Sequence, residues 1–222
     1  MKPSKWDTYF QSHYQPVERE WGEKDLAKYK NWYNSWLPFI EKSGNFNNGD
    51  IDIFEIGSGV GAFVALLAER GYKITGSDIS ELMVHVGRKV FPQAQFLYCD
   101  IEKGIPGHKR FSHVLAFEVL EHLKNPGLAM RNIHRSLQKG GYFIGTTPYP
   151  FPKNFKDPTH INVHYPEYWE RLFFENGFLE VKMRPMSFFP AIWRVSKYFN
   201  FPLPWYIPFP YFVSTTLIAA KT

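Results

Sequence analysis

The side chains of this sequence best suited to chemistry are two glutamates and a few histidines. Glu118, Glu121 and His122 occupy positions i, i+3 and i+4, so one helical turn would place all three on the same side. Two carboxylates and an imidazole can hold a divalent cation, which would lower the pKa of a bound hydroxyl. His160 is the natural fourth member, either as a ligand or as a general base, and His164 is the reserve.

A second pattern, the run Gly57-Ser58-Gly59-Val60-Gly61, suits a ligand that approaches the main chain closely. It follows a short apolar segment and precedes an amphipathic one, which is the strand, turn, helix order of nucleotide-like sites. The glycine spacing is one residue tighter than the dinucleotide fingerprint. Glu55, just before the turn, would repel a pyrophosphate but attract a ligand that carries a sulfonium and an amino group.

A dinucleotide-dependent reductase would also need a Tyr-x-x-x-Lys pair on one face of a helix. Tyr149 and Lys153 have this spacing, but three interleaved prolines prevent a helix there. The residues therefore favour S-adenosylmethionine (SAM) over a dinucleotide as the ligand.

Strands and helices alternate along the sequence. Ser80 and Asn125 are predicted to cap the helices that follow them. The alternation predicts an α/β fold, a Rossmann-like, mostly parallel seven-stranded sheet with helices on both faces. Apolar runs predict strands over 51–56, 72–77, 95–98, 111–117, 142–146, 178–183 and 213–220.

The candidate residues all fall at one edge of this predicted sheet. Ligands bind beyond the carboxyl ends of parallel strands, where the glycine run, Asp78, Asp100 and Phe117–His122 lie. We expect Asp78 to accept hydrogen bonds from ribose hydroxyls. Asp100 is placed to accept one from an adenine amino group beside Ile101.

Together these motifs resemble those of class I SAM-dependent methyltransferases. The resemblance rests on residues 55–61, 76–80, 99–101 and 117–123 and on the glycine pair at 140–141. It covers roughly residues 50–183 and the terminal strand. It implies an enzyme that uses SAM as its cofactor.

The resemblance also implies roles for the matching positions. Glu55 would hold the methionine end of SAM, and Asp78 would bind the ribose. Ile79 and Met83 would sandwich the adenine. Main-chain groups near Phe117 and Glu118 would meet the methionine amine. The complete predicted cofactor set is Glu55, Gly57, Ser58, Gly59, Gly61, Asp78, Ile79, Met83, Asp100, Ile101, Phe117 and Glu118.

A Glu-x-x-Glu-His pattern completed by a distal histidine is similar to that of small-RNA 2′-O-methyltransferases and ubiquinone-pathway O-methyltransferases. The same pattern occurs in relatives without a metal requirement, where it shapes the cofactor pocket. We therefore favour His160 as a catalytic base or substrate-orienting group, and a divalent metal is the less favoured alternative.

The sequence predicts a single domain over residues 1–222, with a helical cap at 1–45 and a SAM-binding core at 50–185. An aromatic-rich insertion at 186–212 precedes a terminal strand at 213–222. The insertion could cap the acceptor pocket, touch a membrane surface, form a dimer contact or simply extend the core. We favour the cap, with the N-terminal aromatic residues, including Trp6, forming its other side.

Composition restricts the partners and the compartment. The net charge is +5, but no run of Lys and Arg exceeds two residues, so a nucleic-acid partner is not expected. Cys99 is the only cysteine, which excludes an intrachain disulfide and favours a reducing, cytoplasmic location. The uncharged stretch at 198–220 contains four prolines, so we do not expect it to span a membrane, although peripheral contact is possible.

We therefore expect methyl transfer to a small apolar, lipid-like or glycan-precursor acceptor, at oxygen. The alternatives are RNA 2′-O-methylation and a non-catalytic SAM-binding subunit. The oligomeric state is left open.

Overall fold

The computed structural model describes residues 6–8, 23–47, 50–188, 202–209 and 212–222. The strands are β1 Asp52–Ile56, β2 Lys73–Asp78, β3 Gln95–Tyr98, β4 Phe111–Phe117, β5 Leu137–Pro148, β6 Glu180–Phe188 and β7 Val213–Lys221. The helices are α1 Glu23–Ser43, α2 Ala62–Glu69, α3 Glu81–Val90, α4 Pro126–Ser136 and α5 Pro166–Glu175. Two 3-10 turns cover Leu120–His122 and Pro152–Phe155.

The seven strands form one sheet in the order β3-β2-β1-β4-β5-β7-β6. The first five strands pair in parallel, and β7 pairs antiparallel with both β5 and β6. The predicted α/β fold with a mostly parallel seven-stranded sheet is therefore confirmed. Among the described helices, none combines the length and apolar character needed to cross a bilayer.

The sheet carries a hydrophobic core on each face. All five residues of β1 are buried, as in a parallel strand covered on both sides. Successive side chains point to opposite faces, so Ile53 joins one core cluster and Phe54 joins the other. One cluster includes Leu37 of α1, and the other includes Trp169 of α5.

Capping side chains fix where two helices begin beside the sheet edge. The Ser80 hydroxyl accepts a hydrogen bond from the Met83 amide at 3.2 Å and caps α3. The Asn125 side chain accepts one from the Leu128 amide at 3.0 Å, with a proline at the first position of α4. Both caps match the sequence-based prediction.

Strands β5 and β6 differ from their predicted bounds. We expected a strand from 142, but α4 ends at Ser136 and β5 begins at Leu137. Its pairing with β4 passes from Leu137 directly to Tyr142, so the glycine pair lies in an irregularity of the strand. Gly140 has φ of 75°, which a side chain disfavours. Strand β6 continues to Phe188, so the first three residues of the expected insertion belong to the sheet.

Three glycines from separate elements make room for the ring of Phe96, which is 5% exposed. A Cβ atom at Gly61 would lie 2.4 Å from the ring, and one at Gly76 or Gly87 would lie 2.9 Å from it. This contact packs β3 against β2, α3 and the turn before α2. Gly61 therefore serves packing, although it was predicted in the cofactor set.

We expect Gly87→Ala to destabilise the protein. Alanine favours a helix over glycine by about 0.5–1 kcal/mol, but overpacking a core costs about 1–3 kcal/mol. Chemical denaturation should therefore show a lower free energy of unfolding for Gly87→Ala than for the wild type. This decrease should be smaller when Gly87→Ala is combined with Phe96→Leu. Gly127→Ala in α4 is the matched control, because its Cβ would meet no atom closer than 3.8 Å. A Gly87→Ala variant at least as stable as the control would contradict the packing account.

Candidate active site

A cavity of about 680 Å³ opens at the carboxyl ends of the parallel strands. It is lined by His160 and by most of the predicted cofactor residues, namely Gly57, Ser58, Gly59, Asp78, Ile79, Met83, Asp100, Ile101, Phe117 and Glu118. Glu55 and Gly61 are the members of the predicted set that do not line it. The sheet edge thus brings together residues separated by more than one hundred positions.

Two glycines of the turn after β1 have different surroundings. Gly57 has φ of 70°, and a Cβ there would lie 2.4 Å from Val119 Cγ2. Gly59 has φ of 52°, and no atom lies within 4 Å of the position that its Cβ would take. Gly57 therefore packs against protein, whereas Gly59 leaves space beside the cavity for a ligand to approach the main chain.

We expect alanine at Gly57 to lower mainly the stability of the protein, and alanine at Gly59 to lower mainly its affinity for the cofactor. Both Gly57→Ala and Gly59→Ala place a side chain in the left-handed region, at a cost of about 1 kcal/mol each. Gly57→Ala also clashes with Val119, so it should lose the larger share of stability in thermal melts. Gly59→Ala should instead weaken the binding of S-adenosylhomocysteine (SAH) measured by calorimetry. Unchanged SAH affinity in Gly59→Ala would place the ligand elsewhere.

Asp78 ties the glycine turn to the start of α3. Its two carboxylate oxygens accept hydrogen bonds from the Gly59 and Ser80 amides, both at 2.9 Å. Desolvation raises the pKa of this carboxyl to about 6, although the backbone hydrogen bonds oppose the shift. Each oxygen keeps acceptor capacity, so Asp78 can also bind hydroxyl groups in the cavity.

Asp100 follows β3 and lines the cavity, as do Ile79, Met83 and Ile101. Its oxygens accept a hydrogen bond from the Glu102 amide at 3.2 Å and lie 3.0 Å from Lys103 Nζ. Apolar walls with one acidic edge suit a purine. Cys99 also lines the cavity, and burial raises the pKa of its thiol to about 12, so it stays neutral.

Glu55 is buried behind the cavity wall, with 1% of its surface exposed. Its Oε2 atom has no hydrogen-bond partner. Desolvation, and then the neighbouring charge of Asp78, raises the pKa of this carboxyl to about 8. The side chain is therefore protonated at neutral pH, and its contact with the methionine end of SAM stays a prediction.

Glu55 gives the stability of the cofactor-free protein a defined pH dependence. The folded state keeps a proton that the unfolded chain releases near the ordinary pKa of 4.5, so stability falls as the pH rises from about 4.5 to about 8. Glu55→Gln removes this titration. As the pH rises through this range, the free energy of unfolding of the variant should therefore fall less than that of the wild type. Equal slopes in denaturation series from pH 5 to pH 8 would contradict the assignment.

The segment after β4 does not form the helical turn expected from its spacing. Glu118 has φ of 54°, and only Leu120–His122 form a 3-10 turn. The Glu118 Oε1 atom accepts hydrogen bonds from the hydroxyls of Thr146 at 2.8 Å and Thr215 at 3.0 Å. Glu118 is not among the described side chains whose ligand atoms come together around Glu121.

Glu121, His122 and His160 do come together. One ligand atom of each lies within 4.8 Å of the others. Glu121 is fully buried and neither carboxylate oxygen has a hydrogen-bond partner, so desolvation and then Glu118 raise its pKa well above the ordinary value. The nearest ring nitrogen, His122 Nε2, lies 3.8 Å from Glu121 Oε1, beyond hydrogen-bond distance.

Backbone carbonyls orient both imidazoles of this cluster. His122 Nδ1 lies 3.1 Å from the Thr159 carbonyl oxygen, and His160 Nδ1 lies 2.8 Å from that of Asn154. Because a carbonyl only accepts, each Nδ1 carries the proton and each Nε2 keeps its lone pair. The cluster can therefore accept a proton or a cation. His164 stacks on Tyr168 and is not part of it.

Aromatic side chains of α1 also line the cavity. Trp32, Tyr33 and Trp36 line it, together with Trp6 of the N-terminal segment, as the predicted cap requires. No described residue of 186–212 lines the cavity, and the rest of that range lies outside the described residues. Thr146 and Thr215 also line it, and neither carries a local signal in the sequence.

Comparison with known proteins agrees with this geometry. A family model described as "Methyltransferase domain" matches residues 54–145. The ubiquinone biosynthesis O-methyltransferase of Coxiella burnetii is 25% identical over 162 residues, which cover 64% of this chain and 67% of that protein. We identify the chain as a class I SAM-dependent methyltransferase. The same-named protein of Alkalilimnicola ehrlichii is 30% identical to this methyltransferase over 108 residues, 46% of this chain and 44% of that protein.

Solved structures share the fold of this methyltransferase. A SAM-dependent methyltransferase from Archaeoglobus fulgidus aligns with a TM-score of 0.62 at 18% identity, covering 99% of this chain and 100% of that one. Magnesium protoporphyrin IX methyltransferase from Synechocystis, solved with bound SAH, aligns with a TM-score of 0.62 at 17% identity, covering 97% of each. At these identities the likeness concerns the fold alone, and the acceptor has to be argued from the site.

Proposed function

We propose that this methyltransferase transfers the methyl group of SAM to a hydroxyl oxygen of a small apolar, lipid-like or glycan-precursor acceptor. The observation that carries the proposal is the Glu121–His122–His160 cluster at the cavity wall, in which Glu121 is buried and the two histidines are partly exposed. A hydroxyl must lose its proton to become a good nucleophile, and groups that accept a proton or a cation favour that loss. The ubiquinone biosynthesis O-methyltransferases among the relatives are consistent with an oxygen acceptor.

The aromatic wall supports an apolar acceptor. Trp32, Tyr33 and Trp36 line the same cavity as the polar cluster. A ring or an acyl chain packed on these side chains would leave its hydroxyl toward His160. SAM would supply the methyl group to the acceptor oxygen: the carbon–sulfur electron pair would stay on sulfur, and the hydroxyl proton would go to a base of the protein.

His160 is the residue of this chain best placed to govern that proton. Its Nδ1–H is held by the Asn154 carbonyl, so the ring cannot turn freely and its Nε2 lone pair has a fixed direction. Asp157 Oδ2 lies 3.8 Å from Nε2 and would stabilise the imidazolium that forms. Proton transfer by such a group is worth about 10²- to 10⁴-fold in rate.

The same cluster also fits a divalent cation, and the structure favours this arrangement more than the sequence did. A buried carboxylate without hydrogen bonds is costly unless it is protonated or compensated by a positive charge. One carboxylate and two imidazoles with backbone-bound Nδ1–H groups are a common ligand set for zinc and other divalent metals. A bound cation would lower the pKa of the acceptor hydroxyl.

The test combines methyl transfer with metal binding. Tritiated SAM should label members of a panel of phenols, hydroxylated lipids and sugars. His160→Ala should reduce the rate by about 10² or more. Binding of Mn²⁺, followed by electron paramagnetic resonance, should be lost in His160→Ala and in His122→Ala. His164→Ala is the matched control and should retain both properties, because His164 lies outside the cluster.

Each part of the proposal has its own contradicting result. Labelling of amines or RNA alone would exclude the oxygen acceptor. A wild type that is fully active in EDTA and binds no Mn²⁺ would exclude the cation and leave His160 as the base. Full activity of His160→Ala would exclude both roles of this residue.

A further inference from the structure

A short N-terminal segment, residues 6–8, contacts the cavity wall through Trp6 and the start of α3 through Asp7. The Trp6 side chain lines the cavity. Its ring meets the ring of His122 edge to face, with centroids 5.5 Å apart and an interplanar angle of 83°. This contact joins the segment to the histidine cluster.

Asp7 joins the same segment to the start of α3, which follows Asp78. Its Oδ1 atom accepts a hydrogen bond from the Ser80 hydroxyl at 2.5 Å and a longer one from the Leu82 amide at 3.4 Å. The carboxylate thus sits at the N-terminus of α3, where the helix dipole favours a negative charge. Ser80 also donates its amide to Asp78 at 2.9 Å, so Asp7 is linked to the predicted ribose-binding acid through a single residue.

We propose that Trp6 and Asp7 form a latch that retains the cofactor and sets its rate of release. The two residues are neighbours in sequence, yet Trp6 contacts His122 and Asp7 contacts Ser80, which belong to different elements. Asp78 and Met83, which would hold the adenosine of SAM, line the same cavity as Trp6. The inference rests on SAM binding and is independent of the acceptor and of any metal.

The expected size of the effect follows from the contacts. A hydrogen bond to a charged acceptor shifts a two-state equilibrium by about ten-fold or more. Breaking the Asp7 contact should therefore raise the dissociation rate of SAM and SAH by about ten-fold, while the association rate changes less. Loss of the Trp6 ring contact should raise the dissociation rate by a smaller factor. An aromatic edge contact is worth about 0.5–1.5 kcal/mol, or roughly two- to twelve-fold.

Radiolabelled SAM bound to the full-length protein can be chased with excess unlabelled SAH to measure the dissociation rate. Asp7→Ala and Trp6→Ala should both release SAM faster than the wild type. Trp6→Phe, which keeps an aromatic ring, should release it at close to the wild-type rate. Glu81→Gln is the charge control, because Glu81 is an exposed acid in the first turn of the same helix. Its release rate should match that of the wild type.

Thermal melts of the cofactor-free variants separate retention from plain stability. The proposal expects faster release with a small change in melting temperature. Release rates equal to the wild type in Asp7→Ala and Trp6→Ala would overturn it, as would acceleration that merely follows a large loss of stability. A wild type that binds neither SAM nor SAH would instead contradict the cofactor assignment itself.

Discussion

The carboxylate of Asp78 is the interaction on which the rest of the site depends. It holds the glycine turn after β1 by one oxygen and the start of α3 by the other, both through backbone amides at 2.9 Å. These bonds set the position of Gly59, whose missing side chain leaves room for a ligand, and of Met83 in the first turn of α3. Because the carboxylate is buried, the same bonds also keep it charged against the cost of desolvation.

The site contains two further buried acids that cost folding stability, because some of their oxygens have no hydrogen-bond partner. Glu55 has one oxygen, and Glu121 both oxygens, without a hydrogen-bond partner. Unpaired polar atoms in a protein interior cost stability, so their presence at one sheet edge indicates groups held for binding or chemistry. The well-packed cores on the two faces, with Trp169 and Phe63 fully buried, offset that cost.

Patterns that are local in sequence predicted most of the fold. The alternation of apolar runs and the cap residues Ser80 and Asn125 have their cause within a few positions, and the structure agrees with them. Parallel pairing then places Asp78, Asp100 and Phe117 at one edge by geometry alone. This is why the position of the cavity could be predicted from the sequence.

Features set by distant contacts could not be predicted in this way. The direction of Glu118 depends on a left-handed backbone and on Thr215, which lies 97 positions later. Gly61 reads as part of a ligand turn, but its neighbour is the ring of Phe96 from β3. Glu55 stands beside the glycine turn in sequence, yet the pleat of β1 directs it behind the wall.

Strand β7 is inserted between β5 and β6, although it is the last strand of the chain. Its Thr215 holds the carboxylate of Glu118, and its Val213 lines the cavity. Because Thr215 lies 97 positions after Glu118, this part of the cavity wall exists only when β7 is paired between β5 and β6.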